Sequence, residues 1–87
     1  MKQKALAREV VAVWWVDAAG FSDPMNLEDA KKEGSLPMLS VGLLVSDEGS
    51  VVRFAQDYYR LGNGQERVRD IEIIPKAYIT KMRKWKV

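Results

Sequence analysis

The sequence predicts a mainly β domain, in which five short strands and one short helix, inserted after the first strand, bend into a small five-stranded barrel. Three observations carry this reading. β-Branched and aromatic residues recur in short runs with a period of two, the spacing of strands. Compact turn signals, Asp47 to Ser50 (DEGS) and Leu61 to Gln65 (LGNGQ), separate those runs. An open sheet this small leaves two exposed edges, and strong bending into a barrel removes them.

Glu9 to Val16 (EVVAVWWV) is the first strand. Val11, Val13 and Trp15 fall on one face and Val10, Ala12, Trp14 and Val16 on the other. Both faces are apolar, so both are expected to be covered, by the fold or by a neighbouring subunit. Trp14 and Trp15 point oppositely: one belongs to the core, the other is expected to anchor a subunit interface.

Asp17 to Pro24 (DAAGFSDP) reads as a loop. Asn26 caps a helix of about two turns, with Asp29 placed for the reciprocal bond of a capping box. Leu27, Ala30 and Met25 are expected to face inward, and Gly34 to end the helix.

Met38 to Ser46 (MLSVGLLVS) is the second strand, with Leu39, Val41, Leu43 and Val45 on one face. Gly42 in mid-strand signals a bend or the close approach of another backbone. After the turn at Asp47 to Ser50, where Gly49 suits a positive φ, Val51 to Tyr59 is the third strand. Arg67 to Ile74 is the fourth, stopped by Pro75, and Pro75 to Tyr78 fits one tight helical turn. Ile79 to Val87 reads as a fifth strand that closes the barrel, although a short helix also fits its weak alternation.

The chain has 87 residues, enough for one domain spanning 1–87. It has no cysteine and no histidine, which excludes disulfides, Cys/His zinc sites, thiol nucleophiles and the commonest general base. No catalytic motif is present, so the expectation is a binding protein, not an enzyme, with no cofactor. A domain of this size buries only about 60–65% of the surface its unfolded chain exposes, which favours a homo-oligomer. No apolar run reaches membrane-spanning length, and the lack of cysteine suits a cytoplasmic location. Asp17, Asp23, Asp47 and Glu48 match no metal-binding loop and read as solvated turn residues.

Charge is uneven. The charged residues of Met1 to Arg8 and of Ile74 to Val87 are all basic, while the acids lie between these segments. If the ends meet, they form one positive patch.

Residues 15–17 (WVD), 26–30 (NLEDA), 40–56 (SVGLLVSDEGSVVRFAQ) and 73–79 (IIPKAYI) follow one another along most of the chain. In that order they resemble a group of small phage and prophage proteins with a Trp-x-Asp strand, a short helix, a Val-Gly-Leu-Leu hairpin and a terminal Ile-Pro-Lys segment. The later strands also resemble the bent-sheet layout of Sm-like and Src-homology-3-type barrels. A true Sm protein carries its helix before the first strand, and its Asn/Asp-Gly pocket signature is not evident here.

Two residue sets could meet a phosphate-bearing ligand. Arg53, Tyr58, Tyr59, Arg60, Arg67 and Arg69 offer guanidinium forks beside stacking rings. The competing role for these arginines is cross-strand pairing with Asp57, Asp70 and Glu72. Lys76, Tyr78, Lys81, Arg83 and Lys84, followed by Trp85, suit a nucleic acid, or are solvated residues around core rings. The phage resemblance implies a counter-defence sponge that sequesters a nucleotide-type immune signal between subunits. A small RNA- or DNA-binding barrel is the alternative, and an inhibitor that binds a host protein through a sheet edge is a third.

Overall fold

A computed structural model describes residues 8–18 and 22–87. Met1 to Ala7 and Ala19 to Phe21 lie outside the described residues, as do the basic residues Lys2 and Lys4. The described residues form one antiparallel sheet of β1 (Glu9–Asp17), β2 (Leu36–Ser46), β3 (Val51–Arg60), β4 (Glu66–Pro75) and β5 (Ile79–Lys86). The sheet order is β4-β3-β2-β1-β5. A single 3₁₀ turn, Lys76–Tyr78, joins β4 to β5, where one tight turn was expected after the proline. Among the described residues no helix is long and apolar enough to cross a membrane.

The sheet is not closed. β4 and β5 are its edges, and no ladder joins them. At the β2–β3 junction the ladder covers only Leu43↔Ala55, Leu44↔Phe54 and Ser46↔Arg53, with a bulge at Val45. β3 and β4 stay paired from Val51↔Pro75 to Arg60↔Glu66 and extend beyond β2 as a long hairpin.

The core lies on one face of the sheet. Val11, Val13, Val52, Phe54 and Ile74 are fully buried, with Trp15, Leu44, Ile79 and Met82 packed around them. Half-buried Trp15 donates from Nε1 to Ser40 Oγ at 3.0 Å, and Ser40 donates to Glu72 at 3.3 Å. A polar chain thus completes the apolar cluster and leaves no buried side-chain donor or acceptor unpaired among the described residues.

Gly42 sits where another backbone comes close. A Cβ built there would lie 2.6 Å from the Phe54 ring and 2.9 Å from the Ala55 carbonyl oxygen. The two turn glycines, Gly49 and Gly64, take positive φ of 75° and 85°, as hairpin turns require.

β5 is a strand, and its weak alternation has a local cause. The β1–β5 register shifts between Trp14 and Trp15, and Thr80 is the extra residue. Ile79 therefore faces the core, and beyond the bulge Met82 does too, while Lys81, Arg83 and Trp85 share the opposite face.

The helix differs from expectation. α1 is only Leu27–Ala30 and buries nothing; Leu27 is 69% exposed, and Met25 and Ala30 are exposed as well. Asn26 does cap it, with Oδ1 accepting from Glu28 N–H at 2.8 Å. The reciprocal bond expected of Asp29 is absent among the described residues. Capping holds one turn, but among the described residues no other element covers the apolar side.

One ion pair ties the β2–β3 turn to β5: Lys84 donates to Asp47. This hydrogen bond lowers the Asp47 carboxyl below its ordinary range. Glu66 is lowered as well, chiefly by a hydrogen bond from Tyr58 and then by Arg8 and Arg60. Carboxyls depressed in the fold add stability above their unfolded pKa and lose it as pH falls through the folded value. The thermal midpoint is therefore expected to stay level from about pH 7 to about 5 and to fall below that. Replacing Asp47 by Asn and Glu66 by Gln should flatten the acid limb in a pH series of melts.

Candidate functional site: the outer face of the sheet

The face opposite the core is not covered by the described residues. One apolar row crosses all five strands: Trp85, Val10, Leu43, Ala55 and Ile71 stand opposite one another in successive ladders. Leu39, Val41 and Ile73 extend it and are exposed. On the second apolar side of β1 only Ala12 is buried; Val10 and Trp14 stay partly exposed, and no second layer of described residues covers them.

Charge follows the same division. The registers place Arg53, Arg67, Arg69, Lys81 and Arg83 on the outer face, with Asp57 as its one strand carboxylate. The strand carboxylates Glu9, Asp17, Glu66, Asp70 and Glu72 fall to the core side. Alternation of strand residues thus gives the outer face five cations against one carboxylate, while the cations Arg60, Lys84 and Lys86 fall to the core side with the remaining acids.

The most organised part of this face lies over β1 and β5. Ala12 stands opposite Arg83, Trp14 opposite Lys81 and Val10 opposite Trp85. Ala12, Trp14, Arg83 and Trp85 line an open cavity of about 380 Å³. Its floor is the small Ala12 side chain, and two indoles flank it. The Lys81 ammonium sits 4.9 Å from the centre of the Trp14 ring, a cation–π contact. Neither Lys81 nor Arg83 forms an ion pair among the described residues. Two rings and Arg83 thus share one recess, with Lys81 beside it over the Trp14 ring.

The first predicted set does not form one site. Arg53, Tyr59, Arg67 and Arg69 lie on the outer face, whereas Tyr58 and Arg60 are on the other. Arg69 is paired with Asp57 at 2.9 Å and lies 5.8 Å from the centre of the Tyr59 ring. Arg53 donates to Ser46 and Arg67 to Gln65. On the core side, Arg60 and Arg8 share Glu66, and Arg8 stacks over Tyr58 at 3.8 Å. Of the expected cross-strand pairs, Arg69–Asp57 is made; Asp70 takes a positive φ of 57°, and Glu72 turns to Ser40.

The second set is also divided. Lys81 and Arg83 face outward, Lys84 is held by Asp47, and Lys76 and Tyr78 stand in the 3₁₀ turn. Trp14 and Trp15 point to opposite faces, Trp15 against the core and Trp14 outward. Arg8 adjoins the last strand: Val87 N–H donates to the Arg8 carbonyl at 3.0 Å, while Lys2 and Lys4 lie outside the described residues.

A larger cavity of about 450 Å³ lies among Arg8, Glu9, Leu44, Val45, Ser46, Asp47, Glu48, Lys86 and Val87. It mixes both charges and holds no aromatic ring, so it offers a planar anion less than the Trp14–Trp85 recess. Among the described residues no three carboxylates gather closely enough to hold a metal ion. Comparison with protein-family models, curated proteins and solved structures gives no match for this chain.

Proposed function

We propose that this protein is a non-enzymatic binder of ligands that join a planar base to a phosphate, and that its preferred ligand is a single nucleic-acid strand. The observation that carries this reading is the recess of Trp14, Ala12 and Trp85 beside Lys81 and Arg83. Every base offers a π-face to an indole, and phosphates between bases reach nearby cations. The recess opens along a basic face and does not enclose its contents, which favours a strand that passes over it. The sheet order, with one helical turn between its edge strands, supports placing the chain among small barrel-type binding folds of the Sm-like or Src-homology-3 kind.

The test is titration of a labelled mixed-sequence oligonucleotide across salt concentrations, read by fluorescence anisotropy. If three phosphates are neutralised, affinity for a single strand should fall about 20-fold between 50 and 200 mM salt. Salt-independent binding, or none to a single strand, overturns the strand reading.

The half-open recess also favours a second reading, in which another subunit closes it over a single nucleotide-type signal. The chain would then act as a phage counter-defence sponge. Native mass spectrometry of protein purified from cells, followed by denaturation, distinguishes the two: a sponge releases a small nucleotide at a fixed ratio to subunits.

A further inference from the structure

Residues 22–35, the described arm between β1 and β2, are exposed throughout, and among the described residues nothing covers them. α1 has four residues, and a helix that short does not hold itself in water without packing. Yet Leu27 is 69% exposed, and Met25 before it and Leu36 at the start of β2 are exposed too. The described part of this arm carries Asp23, Glu28, Asp29 and Glu33 against Lys31 and Lys32, and Lys31 is already paired with Glu28. It is an apolar tip in an acidic setting.

The β3–β4 part of the outer face has the opposite character. Ile71 and Ile73 are 51% and 56% exposed. Arg53, Arg67 and Arg69 share that face with them, and Asp57 alone opposes their charge. It is an apolar patch in a basic setting. Two such faces repel each other, so a symmetric face-to-face dimer is disfavoured, whereas an acidic apolar arm meets the face with matched charge and matched burial.

We propose that the β1–β2 arm of one copy docks on the β3–β4 outer face of the next, with Leu27 against Ile71 and Ile73. The contact is head-to-tail, because arm and face are different surfaces, so repetition closes a ring or runs on as a filament. It leaves the Trp14–Trp85 recess on the β1–β5 side of the face, and it does not depend on the nucleotide reading.

The experiment is light scattering coupled to gel filtration, on the full chain and on charge variants. The wild type should run as an oligomer. Leu27→Asp should raise the dissociation constant at least tenfold, and because Leu27 is exposed the fold should survive, as circular dichroism can check. Glu28→Lys with Asp29→Lys should weaken assembly, and so should Arg53→Glu with Arg67→Glu. Mixing those two proteins should restore it, since each then supplies the surface the other needs. A monomeric wild type overturns the proposal. So does an oligomer that Leu27→Asp leaves unchanged, or one that the mixed variants fail to restore.

Discussion

Gly42→Ala should destabilise the protein more than its single added methyl suggests. The new Cβ would lie 2.6 Å from the Phe54 ring and 2.9 Å from the Ala55 carbonyl oxygen. Neither neighbour can yield cheaply: the ring is fully buried among Val11, Val13, Val52 and Ile74, and the carbonyl belongs to the β3 backbone. Overpacking of this kind costs about 1–3 kcal/mol, and contact with fixed backbone places Gly42→Ala near the top of that range. Phe54→Ala, at the same contact, removes the largest fully buried side chain and should cost about 3–5 kcal/mol. A chain this short has a total stability of roughly 4–13 kcal/mol, so Phe54→Ala should be largely unfolded in mild denaturant. The two changes should also couple. Phe54→Leu makes room on the ring side, so Gly42→Ala should cost less in that background, although the clash with the Ala55 carbonyl stays. Denaturant melts of the four proteins give the coupling directly, and strict additivity would show that ring and glycine do not share one space.

The strands were legible in the sequence because each is marked locally. Alternation in residues 38–46, the turns at Gly49 and Gly64, and Pro75 all act through neighbouring residues. Gly42 was legible as a close approach, since a mid-strand glycine has few other uses. The helix is legible only at its start: Asn26 marks where a turn begins, but nothing local shows what covers its apolar residues or how far it runs. Whether the sheet closes is not legible in the sequence, because the bulge at Val45 and the long β3–β4 hairpin are properties of pairing between strands.

The candidate site was legible only in fragments. Strand parity alone separates Tyr58 and Arg60 from Arg53, Tyr59, Arg67 and Arg69, so grouping all six by nearness in sequence ignored a signal that was present. The bulge at Thr80 is different. It sets Lys81, Arg83 and Trp85 on the outer face, and nothing in ITKMRKWK marks it before β1 is laid beside β5. Trp14 and Trp85 are far apart in the chain, and only the Val10↔Trp85 and Trp14↔Lys81 pairings place both indoles around Ala12.

Trp85→Ala should weaken binding of a labelled single strand by roughly 5–150-fold, the loss of about 1–3 kcal/mol for one stacked base. Trp85 is partly exposed, so its removal should leave the melting curve nearly unchanged, which separates lost stacking from lost folding. Trp14→Ala should give a similar loss and should also release Lys81 from its ring. Trp85→Phe should recover much of the affinity, because a smaller ring still stacks. Arg83→Ala should lower affinity and flatten the salt dependence, whereas Arg83→Lys should restore the salt dependence more fully than the affinity, since charge returns without the planar fork. The sharpest variant is Ala12→Leu, which fills the floor between the indoles and removes neither a ring nor a charge. If bases enter the recess, it should weaken binding about as strongly as losing an indole. A face that acted only as a basic surface would respond to Arg83→Ala and ignore Ala12→Leu, because filling a groove leaves every cation where it was.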